Sequence, residues 1–213
     1  MHLHLSGLLP EFMEKDKISG SEIWNNDVTI GDNEMLHIVA PSGNGKTSII
    51  HFIYGLRKDF YGKIKYDNSD INKFTAEDYA VYRQKKISIV FQDMKLFPEL
   101  TVRDNLEVKR VLAPYEQAES IEEMARRLGI SSRLDKKAGI CSYGEQQRIA
   151  IIRSLLQPFE LLLLDEPFSH LDEDNRLKAS ELILDECKKR NAAVVLADLN
   201  TVSFFPCDRL LNL

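Results

Sequence analysis

A strand-like apolar run, Leu36–Ala40, passes through Pro41-Ser42-Gly43-Asn44-Gly45 into Lys46-Thr47-Ser48 and a helix expected over Lys46–Leu56. A buried strand that turns straight into a helix commits the chain to a largely parallel sheet covered by helices. The turn has the P-loop pattern, with Ala40 where the first glycine belongs. The residue types follow from the task of holding a polyphosphate. Backbone N–H groups between Ala40 and Ser48 curl around phosphate oxygens, and Gly43 and Gly45 let the chain approach them closely. The helix aims its positive end at the anion. Lys46 offers a point charge to the outer phosphates, and the Thr47 hydroxyl suits Mg²⁺. An ordinary glycine-rich turn is the competing reading. The intact Gly45-Lys46-Thr47 between strand and helix argues against it.

Three more apolar runs of strand length follow, at Ile87–Phe91, Leu161–Leu164 and Ala193–Ala197. Runs apolar on both faces fit a parallel sheet. The short mixed segments His2–Leu5, Asp27–Ile30 and Lys63–Tyr66 fit a small antiparallel layer. From Thr101 to Ile140 the pattern is helical. Ser120 with Glu123 reads as a capping box, Ile121, Ala125 and Leu128 as an apolar stripe, and Gly129 as a helix stop. The expected fold is therefore α/β: a P-loop core with a mostly parallel sheet, a small antiparallel β layer and an inserted helical subdomain.

The run Leu161–Leu164 ends in Asp165-Glu166-Pro167. Ligands bind at the carboxyl edge of a parallel sheet, so Asp165 is expected to hold Mg²⁺ and Glu166 to polarise an attacking water. A solvated acidic turn is the alternative, and the phosphate loop counts against it. The net charge of -5 supplies no global basic field for nucleic acid. Three scattered cysteines, Cys141, Cys187 and Cys207, fit neither a disulfide framework nor a zinc spacing. No apolar run approaches the ~20 residues of a membrane span, and no secretory leader opens the chain, so any membrane work falls to a partner.

Further segments fall in a recognisable order: Phe91-Gln92-Asp93, Leu96-Phe97-Pro98, Cys141-Ser142-Tyr143-Gly144-Glu145-Gln146-Gln147-Arg148 and Ser169-His170-Leu171-Asp172. Together with the loop and the acidic pair, the chain resembles the nucleotide-binding domain of an ABC transporter over essentially its whole length. The resemblance implies one domain over 1–213, with a core of 1–95 and 141–213 and a helical subdomain of about 96–140. It implies ATP and Mg²⁺ as cofactors, Glu166 and Gln92 as catalytic residues, and Thr47, Gln92 and Asp165 as metal ligands. It assigns the nucleotide to Ala40, Pro41, Ser42, Gly43, Asn44, Gly45, Lys46, Thr47 and Ser48 and, across a head-to-tail dimer, to the signature-like Ser142, Tyr143, Gly144 and Glu145. Asp172 falls in the loop joining the two sites, and Phe12 is either an adenine platform or a packed apolar residue. Ser142 with Glu145 also reads as a plain capping box, compatible with both roles. The implied partners are a transmembrane permease subunit and a second copy bound through ATP, with no nucleic acid. The implied location is the cytoplasmic side of a membrane, reached through that partner. The narrower likeness is to ATPases of lipoprotein-release, macrolide-export and cell-division type.

Three departures stand out. Cys141, Tyr143 and Glu145 replace the usual leucine, glycine and glutamine of the signature, and Ala40 replaces a loop glycine. The family's switch histidine is absent, its place held by Ala197 or Asp198, neither of which can donate a hydrogen bond to a γ-phosphate. These departures predict ATP binding with slow hydrolysis, or recruitment of another group such as His170, although simple variation of a loop residue also accounts for His170. The alternatives are an ATP-dependent regulatory clamp with little turnover, and a soluble ATPase of ribosomes or DNA, which the absence of fused domains and basic arms disfavours.

Overall fold

The computed structural model describes residues 1–13, 18 and 20–213. The four apolar runs become parallel strands β3 (Met35–Val39), β6 (Ile87–Val90), β7 (Leu161–Asp165) and β8 (Ala193–Asp198). A further strand, β9 (Arg209–Asn212), completes a five-stranded sheet of order β6-β7-β8-β3-β9. β1 (Leu3–Pro10), β2 (Asp27–Ile30), β4 (Phe60–Tyr66) and β5 (Ser69–Asp70) form an antiparallel sheet of order β2-β1-β4-β5. The helices are α1 (Lys46–Ile53), α2 (Ala76–Lys85), α3 (Val102–Leu112), α4 (Glu119–Arg127), α5 (Tyr143–Leu155) and α6 (Glu173–Arg190).

Side-chain alternation makes the parallel sheet a wall between two apolar clusters. Leu161 and Leu163 of β7, with Val195 and Ala197 of β8, join the cluster shared with α1 and the antiparallel sheet. Leu162 and Leu164, with Val194 and Leu196, join the cluster built by α3, α4, α5 and α6. The registers Leu164↔Leu196, Asp165↔Ala197 and Val39↔Asp198 bring the carboxyl ends of β7, β8 and β3 side by side. The phosphate loop leaves β3 at that edge.

Three expectations need correcting. α1 stops at Ile53 rather than Leu56 because Gly55 takes φ +72°, and a Cβ there would strike the Tyr79 ring. The helical middle is α3 and α4 plus two short 3₁₀ turns, Ser131–Arg133 and Ala138–Ile140. Ser120 and Glu123 form no capping box. α4 begins at Glu119, so Ser120 already lies inside it; its hydroxyl donates to Glu116 while Glu123 pairs with Arg126. The stripe holds, with Ile121, Ala125 and Leu128 buried, and Gly129 ends the helix at φ +66°.

Candidate functional site

The loop after β3 is shaped by two glycines in the left-handed region, Gly43 at φ +84° and Gly45 at φ +95°. Gly45 is doubly constrained, since a Cβ there would lie 2.9 Å from both Met13 and Trp24. The Lys46 ammonium is buried and turned back on the loop, donating to the carbonyls of Ala40 at 2.8 Å and Pro41 at 3.1 Å. Ala40 fits its replaced glycine position comfortably; it is buried in the core cluster and its N–H reaches the Asp198 carbonyl at 3.3 Å. Ser48 accepts from Arg57 at 3.2 Å. The loop opens onto a shallow depression lined by Ser42, Gly43, Gly45, Lys46, Thr47 and Ser48, together with Phe12, Gln92 and Glu166.

At the end of β7, Asp165 is buried and neither carboxylate oxygen has a hydrogen-bond partner. Burial raises its pKa to about 6; the nearby Thr47 hydroxyl opposes the rise and the Glu166 charge adds to it. A buried carboxylate without a partner is costly unless something else satisfies it. Thr47 Oγ1 meanwhile donates to Gln92 Oε1 at 3.3 Å. A hydroxyl, an amide oxygen and an unsatisfied carboxylate at one spot are the donor chemistry that Mg²⁺ takes beside a phosphate. Among the described residues no group of three or more His, Cys, Asp or Glu offers a separate metal centre.

Glu166 follows with φ +47°, a conformation that ordinary side chains seldom adopt. Its backbone is held on two sides. Its N–H donates to the Ala197 carbonyl at 2.9 Å, and its own carbonyl accepts from Gln147 Nε2 at 3.0 Å and Ser169 Oγ at 3.1 Å. The side chain lies 3.6 Å from Lys46 Nζ. Gln147 also accepts from the His170 N–H at 2.8 Å, so one buried amide sets the whole turn after β7. Sequence reasoning missed this role: Gln147 stood out only as part of the run Gln146-Gln147-Arg148.

A larger cavity of about 560 Å³ shares Glu166 with the depression and adds Ser169, Arg176, Asp198 and the stretch from Leu199 to Phe204. Of the two residues proposed for the histidine position, Ala197 points into the core and Asp198 lines this cavity. Burial raises the Asp198 pKa, opposed by the Leu199 and Asn200 N–H groups and by Lys46.

The family model described as ABC transporter matches residues 24–169. The chain belongs to the ABC transporter family. It is an ATP-binding subunit of that family and an ATPase by kind. It is 32% identical over 173 residues to the lipoprotein-releasing system ATP-binding protein LolD of Legionella pneumophila (strain Lens), covering 80% of this chain and 76% of the relative. It is 29% identical over 184 residues to the macrolide export ATP-binding/permease protein MacB of Nitrosomonas europaea, which covers 85% of this chain but 28% of that longer relative. The solved dimer of MJ0796, a bacterial ABC transporter cassette, superposes with a TM-score of 0.80 at 26% identity, covering 99% of this chain and 94% of the other.

In this ABC subunit the signature-like segment lies apart from the phosphate loop. None of Ser142, Tyr143, Gly144 or Glu145 lines the loop's depression. Ser142 caps α5 in a reciprocal capping box with Glu145, whose carboxylate also pairs with Arg133 at 2.7 Å. Burial pushes the Glu145 pKa up, but the Ser142 N–H and Arg133 prevail and hold it below the usual value. Tyr143 is 70% exposed and stacks on His170, ring centroids 5.5 Å apart. A Cβ on Gly144 would lie 2.9 Å from the His170 carbonyl, so a glycine suits that close approach. His170 thus stands with the signature-like segment and lines neither cavity beside Glu166. Asp172 caps α6 through the Asn175 N–H at 2.9 Å. Phe12 is half exposed at the rim of the depression, with the Arg57 guanidinium 4.6 Å from its ring centre.

Proposed function

We propose that two copies of this chain close head to tail around ATP and Mg²⁺, hydrolyse the ATP, and pass the resulting motion to a separate transmembrane permease subunit. In this reading the loop 40–48 cradles the phosphates. Thr47, Gln92 and Asp165 hold Mg²⁺, which when bound offsets charge on the outer phosphates. Glu166 orients the attacking water, with Gln92 beside it. Ser142 to Glu145 of each copy closes on the nucleotide of the other, which fits a capped helix end that does not line its own loop's depression. The Lys46–Glu166 ion pair makes the order of events concrete: outer phosphates draw Lys46 away and leave Glu166 free to accept a proton from water.

The observation that supports this most is the meeting of a phosphate loop, an unsatisfied buried carboxylate and a second carboxylate fixed at φ +47° on one sheet edge. The core of 1–95 and 141–213 would carry the chemistry. The helical subdomain of about 96–140 would meet the permease near Gln92 to Leu100, on the cytoplasmic face of the membrane. No helix of the described residues is long and apolar enough to cross a membrane itself. Likeness to LolD and MacB points to a permease of lipoprotein-release or macrolide-export type rather than to nucleic-acid work. Asp198 at the histidine position points to slow turnover in the isolated subunit.

Glu166→Gln tests the scheme. With Mg²⁺ and ATP the variant should lose turnover by on the order of 10³-fold and elute as a dimer in size-exclusion, while the wild type turns over and stays largely monomeric. Wild-type rates in Glu166→Gln would remove Glu166 from the chemistry. An ATP-bound dimer with no turnover in either form, even with the permease present, would instead mark a clamp.

A further inference from the structure

The segment that follows Gln92 has an unusual backbone. Met94 and Lys95 are consecutive non-glycine residues in the left-handed region, at φ +59° and +50°. Such pairs persist only where their surroundings hold them. Local bonds contribute, from the Met94 N–H to the Phe91 carbonyl at 3.0 Å and the Lys95 N–H to the Asp93 carbonyl at 2.6 Å. The remaining hold comes from far along the chain. Arg153, near the end of α5, donates from Nη2 to the Met94 carbonyl at 2.6 Å and from Nη1 to the Lys95 carbonyl at 2.8 Å.

Arg153 is an odd choice for a merely structural clasp. No carboxylate pairs with it among the described residues. Burial pulls its pKa down to about 10, with Tyr54 opposing. Nearby Lys109 is a like charge, whose own pKa burial and Arg153 together bring to about 8. The guanidinium therefore spends its charge on the two loop carbonyls, and a planar fork with several donors matches two adjacent acceptors. Two residues back along the loop stands Gln92, whose amide oxygen meets Thr47 at 3.3 Å. At the other end of the same 13-residue helix stands the Ser142–Glu145 cap, about 16 Å from Arg153 along the axis at the rise of an α-helix.

We propose that Arg153 is a positioning residue that sets the Gln92 amide through the carbonyls of Met94 and Lys95, and so ties the loop at one nucleotide to the helix whose cap meets the other. This rests on the placement of Gln92 at the metal proposed above. A shift of α5 when its cap engages the second nucleotide would then move Gln92 at the first.

The test uses the full chain and three substitutions, Arg153→Met, Arg153→Lys and Gln92→Ala. Hydrogen exchange reads the clamp without any assumption about Gln92. Arg153→Met should speed exchange in residues 92–97 and leave β7, β8 and the start of α5 unchanged; Arg153→Lys should lie between it and the wild type. Unchanged exchange in 92–97, or acceleration spread evenly through the sheet, overturns the clamp. Mn²⁺ binding to the protein with ATP then reads the consequence. Arg153→Met should weaken it about tenfold with metal-free ATP binding unchanged, and the double variant should be no weaker than Gln92→Ala. Effects that multiply in the double variant overturn the link to Gln92. A silent Gln92→Ala with altered exchange in Arg153→Met would instead remove Gln92 from the metal, leaving the clamp standing and the proposed site wrong at that residue.

Discussion

Asp165 holds its proton in the folded chain up to about pH 6, well above an ordinary aspartate at 3.8. Between those values the folded form binds a proton that the unfolded form has lost. Its contribution to stability is therefore fully present below about pH 4 and is lost as the pH rises towards 6. Asp165→Asn should remove this slope and stabilise the metal-free chain at pH 7 by up to about 3 kcal/mol, while Mg²⁺-dependent ATP binding collapses. Urea titrations of both proteins from pH 4 to 7 measure the first effect, and nucleotide retention with and without Mg²⁺ the second. Asp198 carries a different expectation. If the proposed scheme holds, Asp198→His supplies a donor for the γ-phosphate and should raise turnover by on the order of 10²-fold, measured as steady-state rate under saturating ATP. A fall would mean that the carboxylate itself is used. At this scale the sequence spoke clearly wherever chemistry restricts residue type, as at Lys46, Asp165 and Glu166. It left Ala197 and Asp198 equivalent because only strand register decides which of two neighbours faces the cavity. The roles of Gln147 and Arg153 stayed silent for a related reason: Arg153 holds backbone carbonyls, and Gln147 holds the Glu166 carbonyl and the His170 N–H, groups that leave no mark in a sequence.

The N-terminus of α5 combines a capping box with the Glu145–Arg133 ion pair at 2.7 Å. Ser142→Ala should lower stability by about 1 kcal/mol, read by thermal unfolding without nucleotide, and should also raise the ATP concentration needed for dimerisation. An effect on stability alone would assign the serine to the helix and not to the nucleotide. Elements buried on both faces were legible as apolar runs. β9 was not, because its exposure alternates and Arg209 and Asn212 sit in it. Only the first part of β1 is legible, because Gly7, at φ +56°, interrupts the pattern; the strand resumes beyond an irregularity in its pairing with β4. α2 has no apolar stripe to betray it, yet its Thr75–Asp78 capping box was a usable signal. The same signal misled at Ser120, where the spacing was right and the helix had already begun.

For the whole molecule, a ligand that binds only the folded form stabilises it in proportion to the logarithm of its concentration. At 100 times its dissociation constant, Mg²⁺-ATP should add about 2.7 kcal/mol. In Glu166→Gln the midpoint should rise further with protein concentration, because closure of two copies adds to the linkage; calorimetry at two protein concentrations measures it. The overall architecture was largely visible beforehand, since phosphate loop, signature-like segment and acidic strand end follow one another along the chain. The pairing of the early strands and the joining of β9 were not, since those rest on contacts between distant segments. Each leucine of β7 belongs either to the cluster shared with α1, beneath the phosphate loop, or to the cluster beneath α3 to α6. Substitutions that refit the helical face to a new membrane protein need not disturb the layer under the phosphate loop. A lineage built this way is free to change what it drives while inheriting how it is fuelled.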